Sequence, residues 1–186
     1  VMPDDTSRVM ALMGGEVDVA LQLPYPNVES IKQSGFKTFQ TLTSQWAGLT
    51  FCQWAKPFDD VRVRKAVGHA IDRKPIVKDV LYGLAVASNS PVLPTTPWSG
   101  EDKLEGLPYD PKLAGMLLDE VGWKMGSDGI REKDGQKLQI TLRMINNPSV
   151  LIHGREMAQV IVEQLGKVGI KVDISVEEQD MFYDES

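Results

Sequence analysis

The chain has 186 residues and a formal net charge of −6, from 20 lysines and arginines against 26 aspartates and glutamates, which argues against a general surface for nucleic acid or anionic lipid. Its 42% hydrophobic content is enough for one large core or parts of two. The single cysteine, Cys52, excludes an intrachain disulfide and a cysteine-based zinc site, and no apolar run approaches the roughly 18 residues of a membrane span. Position 1 is not methionine and no signal-peptide pattern is present, so the chain reads as a piece of something longer.

Pro3-Asp4-Asp5-Thr6 predicts a helix start, with Val9, Met10, Leu12 and Met13 as its apolar positions and Gly14-Gly15 as its stop. Over residues 16–23, Val17, Val19, Leu21 and Leu23 alternate with Glu16, Asp18 and Gln22, the period of a half-buried strand. Pro24 and Pro26 end that strand, and Asn27 is placed to cap a short helix with Val28 and Ile31 that runs to Gly35. Residues 36–53 are rich in β-branched and aromatic side chains and predict two strands or one long bent one. Trp46, within them, is expected in a core or at an interface, where large aromatics bury area.

Residues 56–83 carry the densest local signals. Asp59 and Asp60 suit a helix N-terminus, and Val63, Ala66, Val67, Ala70 and Ile71 recur at helical spacing while Arg62, Arg64 and Lys65 fall off that stripe onto a solvated face. The helix should end near Ile71. Asp72 then caps a second helix, in which Pro75 is tolerated in the first turn and Ile76, Val77, Val80 and Leu81 face inward up to Gly83. His69 reads as a packing residue, because no second histidine or cysteine lies at metal-ligand spacing.

The proline-rich residues 84–108 predict a long surface connection that Trp98 is placed to anchor. Asp110-Pro111 opens a helix with Leu113, Ala114, Leu117, Leu118 and Val121 as its stripe and Gly122 as its end; Asp119 and Glu120 lie on a solvated edge and are not read as an acid/base pair. Asp128-Gly129 and Asp134-Gly135 mark the tight turns of a small hairpin, and their neighbourhood lacks the ligand spacing of a calcium loop. Residues 138–145 predict a strand. Residues 146–149 then turn the chain into a long helix with Val150, Met157, Val160, Ile161 and Leu165 buried, and residues 170–176 form a last strand, the recipe for a parallel pair with a right-handed crossover.

In an open α/β sheet, ligands collect beyond the carboxyl ends of the strands, where helix N-termini offer N–H groups. Asn146, Asn147 and His153 occupy that place, and a carboxylate-bearing ligand could use the two amides and the imidazole. The alternative is a surface histidine near a helix start. There is no nucleophile elbow, phosphate-cradling glycine loop or HExxH pair, so no enzyme and no resident metal are expected. The helix–corner–helix at residues 60–82 offers a rival of another class, a helix-turn-helix DNA reader. The acidic balance, the few base-contacting residues on its second helix and the strands it leaves unexplained oppose it.

The run PFDDVRVRKAVGHAIDRKPIVKDVLYGLA resembles the most recognisable segment of the family 5 extracellular solute-binding proteins, the peptide- and nickel-binding receptors of bacterial ABC importers. The shared positions are the run from Pro57 through Arg64, then Ala66, Ala70-Ile71-Asp72-Arg73, Ile76-Val77 and Gly83. DTSRVMALMGGEVDVA and YDPKLAGMLLDEVGW resemble two further landmarks, and the likeness extends from Asp4 to about Phe182. It implies an α/β fold with a mixed sheet flanked by helices, part of one lobe of a two-lobed periplasmic-binding-protein-like (class II, cluster C) architecture. Residues 1–46 would end the first lobe and form the crossover, with Gln45, Trp46 and Gly48 near the hinge, and residues 47–186 would begin the second lobe. The implied function is capture of a peptide or peptide-like solute and its delivery to an ABC permease at the periplasmic or extracellular membrane face, by a monomer without cofactor. A receptor for nickel or another metal complex is the alternative within the family, and an organic solute is preferred because no cysteine or histidine cluster is visible.

Overall fold

Asp60 sits in extended conformation and accepts a hydrogen bond from the Arg62 N–H at 2.8 Å, which opens α3 (Val61–Ala70) where the sequence places it. The computed structural model describes residues 2, 4–43, 45–92, 96, 98–99, 104–147, 151–178, 180 and 182. Upstream, Asp4 caps α1 (Asp5–Met13) through Ser7, and a 3-10 turn (Tyr25–Asn27) leads into α2 (Val28–Gln33). Ile71 ends α3 in extended geometry, and Asp72 accepts from the Lys74 N–H at 3.0 Å to start α4 (Arg73–Pro75), which a π turn (Ile76–Val80) continues. The second helix is therefore only a short α turn widened into a π turn, a poor recognition helix for DNA.

Asp110 caps α5 (Pro111–Glu120) from the Leu113 N–H at 2.9 Å, with proline in the first turn as expected. The turns after it build a three-stranded antiparallel meander, β1 (Lys124–Met125), β2 (Arg131–Lys133) and β3 (Gln136–Lys137). Asp134 and Gly135, both with positive φ, make the two-residue turn between β2 and β3, the geometry that favours Asp-Gly there. β4 (Gln139–Ile145) and β5 (Lys171–Glu177) pair in parallel over seven positions, from Gln139↔Lys171 to Ile145↔Glu177, with α6 (Gly154–Gly166) crossing between them. The fold is α/β as expected, with its parallel and antiparallel pairings divided between two small sheets.

One core holds these pieces together. Val63, Ala66, Val67 and Ala70 of α3 meet Ala114 and Leu118 of α5, and Leu138, Leu165, Val168 and Ile170 close the cluster from the sheet side. Ala66 and Ala114 are completely buried, and their small side chains let the two helices approach closely. A fully buried leucine such as Leu118 contributes about 2 kcal/mol by leaving water. His69 is buried as a packing residue, and its Nδ1 meets the Pro108 carbonyl at 2.8 Å.

Arg131 is the feature that strand alternation does not announce. Its guanidinium is buried and donates from Nε to the Val168 carbonyl at 2.8 Å and from Nη1 to the Trp123 carbonyl at 2.6 Å and Asp119 Oδ1 at 2.9 Å. The arginine thereby ties the meander to the end of α5 and to the turn before β5. Asp119, expected on a solvated edge, is an ion-pair partner, and the guanidinium holds its carboxyl below the ordinary aspartate range.

Several expectations do not hold. Residues 16–23 form no strand, and Val19 and Leu21 are about three-quarters exposed at 74% and 75%. The described part of residues 36–53 forms no strand either, and Phe39 is exposed. Alternation makes both stretches fit for a sheet, but a strand also needs ladder hydrogen bonds to a neighbour, and among the described residues neither stretch is paired in a sheet. The long helix starts only at Gly154, because His153 has a left-handed backbone (φ 52°) that cannot continue an α-helix backwards. Among the described residues Trp98 is 80% exposed and so is not packed as an anchor, and Trp46, at 55%, is not in a core, the first of the two places expected for it. Pro3, Val150 and the turn residues 148 and 149 lie outside the described residues.

Candidate functional site

Because β4 and β5 run in parallel and α6 crosses back between them, the carboxyl ends of both strands and the start of α6 share one end of the unit. Asn146 leaves β4 there, and its N–H donates to the Glu177 carbonyl at 2.7 Å. Its side-chain amide is held on both sides: Nδ2 donates to Glu178 Oε1 at 3.2 Å, and Oδ1 accepts from Arg155 Nη2 at 3.4 Å. The Asn147 carbonyl accepts from the Leu151 N–H at 2.9 Å and closes the turn towards α6. His153 takes the cap position of α6 without a side-chain capping bond.

His153 is not a lone surface imidazole. Its ring centroid lies 5.7 Å from that of Tyr25 and 5.9 Å from that of Tyr82, with tilts of 45° and 49°, and its Nδ1 is 3.8 Å from Glu156 Oε1. Tyr25 comes from the 3-10 turn before α2, and Tyr82 from the turn that ends the α4 region. Four non-glycine residues with positive φ are described, Gln22, Tyr82, Asp134 and His153, and two of them belong to this cluster. Such backbone geometry tends to be retained where it aims a side chain at something.

On the parallel pair, Arg143 reaches across the sheet to Glu177 with Nε at 2.9 and 3.0 Å from the two carboxylate oxygens and Nη2 at 2.6 Å from Oε2. These bonds hold the Glu177 carboxyl below the usual range, and Ser175 Oγ adds a further donor at 2.9 Å. The Arg143 guanidinium also lies 5.4 Å from the Phe182 ring centroid.

Gln45, Trp46 and Gly48 occupy another stretch. All three are exposed, and the Trp46 ring covers Gly48 so closely that a Cβ there would collide with it. The chain continues into Leu49, Thr50 and Phe51, which border Ile140, Thr141 and Leu142 of β4 around a small cavity of about 50 Å³. Asn146 and Asn147 thus follow β4 and His153 precedes α6, with Tyr25 and Tyr82 beside the imidazole and Arg143 on Glu177; these last four were not among the residues expected from the sequence. Pro24 and Pro26 restrict the backbone on either side of Tyr25 and are the one local signal there, whereas Gly83, a permissive residue, gives none for Tyr82. Among the described residues, no three His, Cys, Asp or Glu side chains come together as a metal site, and no helix is long and apolar enough to cross a membrane.

The α/β fold is shared with solved solute-binding proteins. The chain superposes on NikA of Brucella suis, solved in complex with Fe(III)-EDTA, with a TM-score of 0.82 at 28% identity, covering 100% of this chain and 38% of that one. It also superposes on the oligopeptide-binding protein AppA of Bacillus subtilis, solved with a nonapeptide, with a TM-score of 0.73 at 27% identity, covering 99% of this chain and 36% of that one. In sequence it is 32% identical over 178 residues to Heme-binding protein A of Haemophilus influenzae, covering 93% of this chain and 30% of the relative. The profile described as bacterial extracellular solute-binding proteins, family 5 Middle, matches residues 1–186, and the chain belongs to that family. It spans about a third of the length of the relatives it matches.

Proposed function

We propose that the chain is part of the substrate-binding component of an ABC importer, which captures a peptide or peptide-like organic solute and delivers it to a membrane permease. The observation that carries this is the family match over the whole chain, joined to the fold it shares with a receptor solved around a nonapeptide. Residues 1–46 then belong to the end of one lobe and the crossover, and residues 47–186 to the first part of the second lobe. The protein acts as a monomer at the periplasmic or extracellular face of the membrane and has no role for nucleic acid. Asn146, Asn147 and His153 line the solute side, with Gln45, Trp46 and Gly48 at the hinge. Ligand sites enclose most of their ligand, so the full two-lobed protein is what binds with useful affinity. Calorimetric titration of the full-length receptor with di- to pentapeptides tests this: saturable one-to-one binding is expected, and no heat with any peptide contradicts it.

A second reading has one observation in its favour, the high similarity to NikA with Fe(III)-EDTA. A chelated metal brings its own ligands and needs few from the protein, so a metal-complex receptor is the alternative, and titration with nickel chelates separates the two.

A further inference from the structure

We propose that Tyr25, His153 and Tyr82 form a stacking surface that selects solutes carrying a planar aromatic group; this rests on the reading that the strand ends receive the solute. The three rings come from chain positions more than 50 residues apart and meet at centroid separations of 5.7 and 5.9 Å around His153, the cap residue of the helix that follows the carboxyl end of β4. Tyr82 is half exposed, and both it and His153 adopt left-handed backbone geometry that a merely space-filling residue does not require. Aromatic faces carry negative potential and ring edges positive potential, so an incoming ring gains offset or edge-to-face contact that a saturated ring of the same bulk does not. The groups that face the cluster give it a polar margin: Glu156 lies beside the His153 Nδ1, and Arg155 is engaged with Asn146. The selectivity is therefore for ring character and not for size alone.

The test uses the full-length receptor and two peptide series: tetraalanine with phenylalanine placed in turn at each position, and the same peptides with cyclohexylalanine. Calorimetry is expected to show, for at least one position, about fivefold tighter binding of the phenylalanine peptide. Tyr82→Leu and Tyr25→Leu are expected to bring that ratio towards one, while Tyr82→Phe keeps it. Equal affinities for the two series in the unaltered receptor overturn the inference, as does a ratio that survives both leucine variants. Binding without ring discrimination removes this inference alone, whereas no binding of either series removes the peptide-receptor reading with it.

Discussion

The side chain of Gln164 closes a pair of hydrogen bonds on the backbone of Asp72, with Oε1 accepting from the Asp72 N–H at 2.8 Å and Nε2 donating to its carbonyl at 3.2 Å. Gln164 is itself buried in α6, so this amide locks the corner between α3 and α4 to the crossover helix 92 residues away. Gln164→Leu keeps the volume and removes both partners from the Asp72 backbone. The expected loss is about 1–3 kcal/mol, since backbone groups at a half-buried corner regain only part of their hydration. Urea denaturation measures it, and unchanged stability would show that the corner holds without the amide.

Arg131 offers a second test. Arg131→Met leaves the Val168 and Trp123 carbonyls without their donor, and the expected cost is about 2–4 kcal/mol in the same denaturation experiment. The Asp119 side chain is 48% exposed, so Asp119→Asn is expected to cost less than about 1 kcal/mol. Equal losses for the two variants would mean that the ion pair, and not the pair of carbonyl bonds, carries the contribution.

The cap of α3 sets a pH dependence. Asp60 is held at a pKa of about 2 by the Arg62 side chain first and by the Arg62 backbone N–H second. A carboxyl whose pKa falls on folding gives its full contribution above the ordinary aspartate value of about 4 and loses it as pH falls towards 2. Asp60→Asn retains a capping oxygen but loses the charge that Arg62 pairs with, so stability at neutral pH is expected to fall below that of the parent while the decline between pH 4 and 2 becomes shallower. An unaltered acid profile in that variant would remove Asp60 from the titrating set.

The buried contact between His69 and Pro108 defines a tautomer. A carbonyl oxygen only accepts, so Nδ1 of His69 must carry the proton. Nitrogen-detected NMR of the histidine ring is expected to report a protonated Nδ1 at neutral pH. The Nε2-protonated neutral form would contradict the geometry around Pro108.

Caps were the most legible part of the fold. Asp60, Asp72 and Asp110 each reach an N–H two or three residues ahead, and such bonds are written in adjacent positions. The strand–helix–strand unit was legible for a related reason, because Gln139–Ile145 and Lys171–Glu177 flank a single amphipathic helix. Residues 16–23 show where periodicity fails: alternation describes a fit to a sheet, whereas a strand exists only when a neighbour supplies its ladder. Arg131 was hidden because its partners lie 8 to 37 residues away and an Arg-Glu-Lys stretch reads as solvated. At the candidate site, strand-end logic reached Asn146, Asn147 and His153, while Tyr25 and Tyr82 approach that imidazole only through the tertiary fold.

The most direct measurement is native mass spectrometry of the full-length protein purified from its host, which weighs whatever solute travels with it. One organic solute of peptide-like mass per protein molecule is expected, released on gentle unfolding. A stoichiometric nickel complex carried by the intact protein would contradict the assignment to peptide-like solutes.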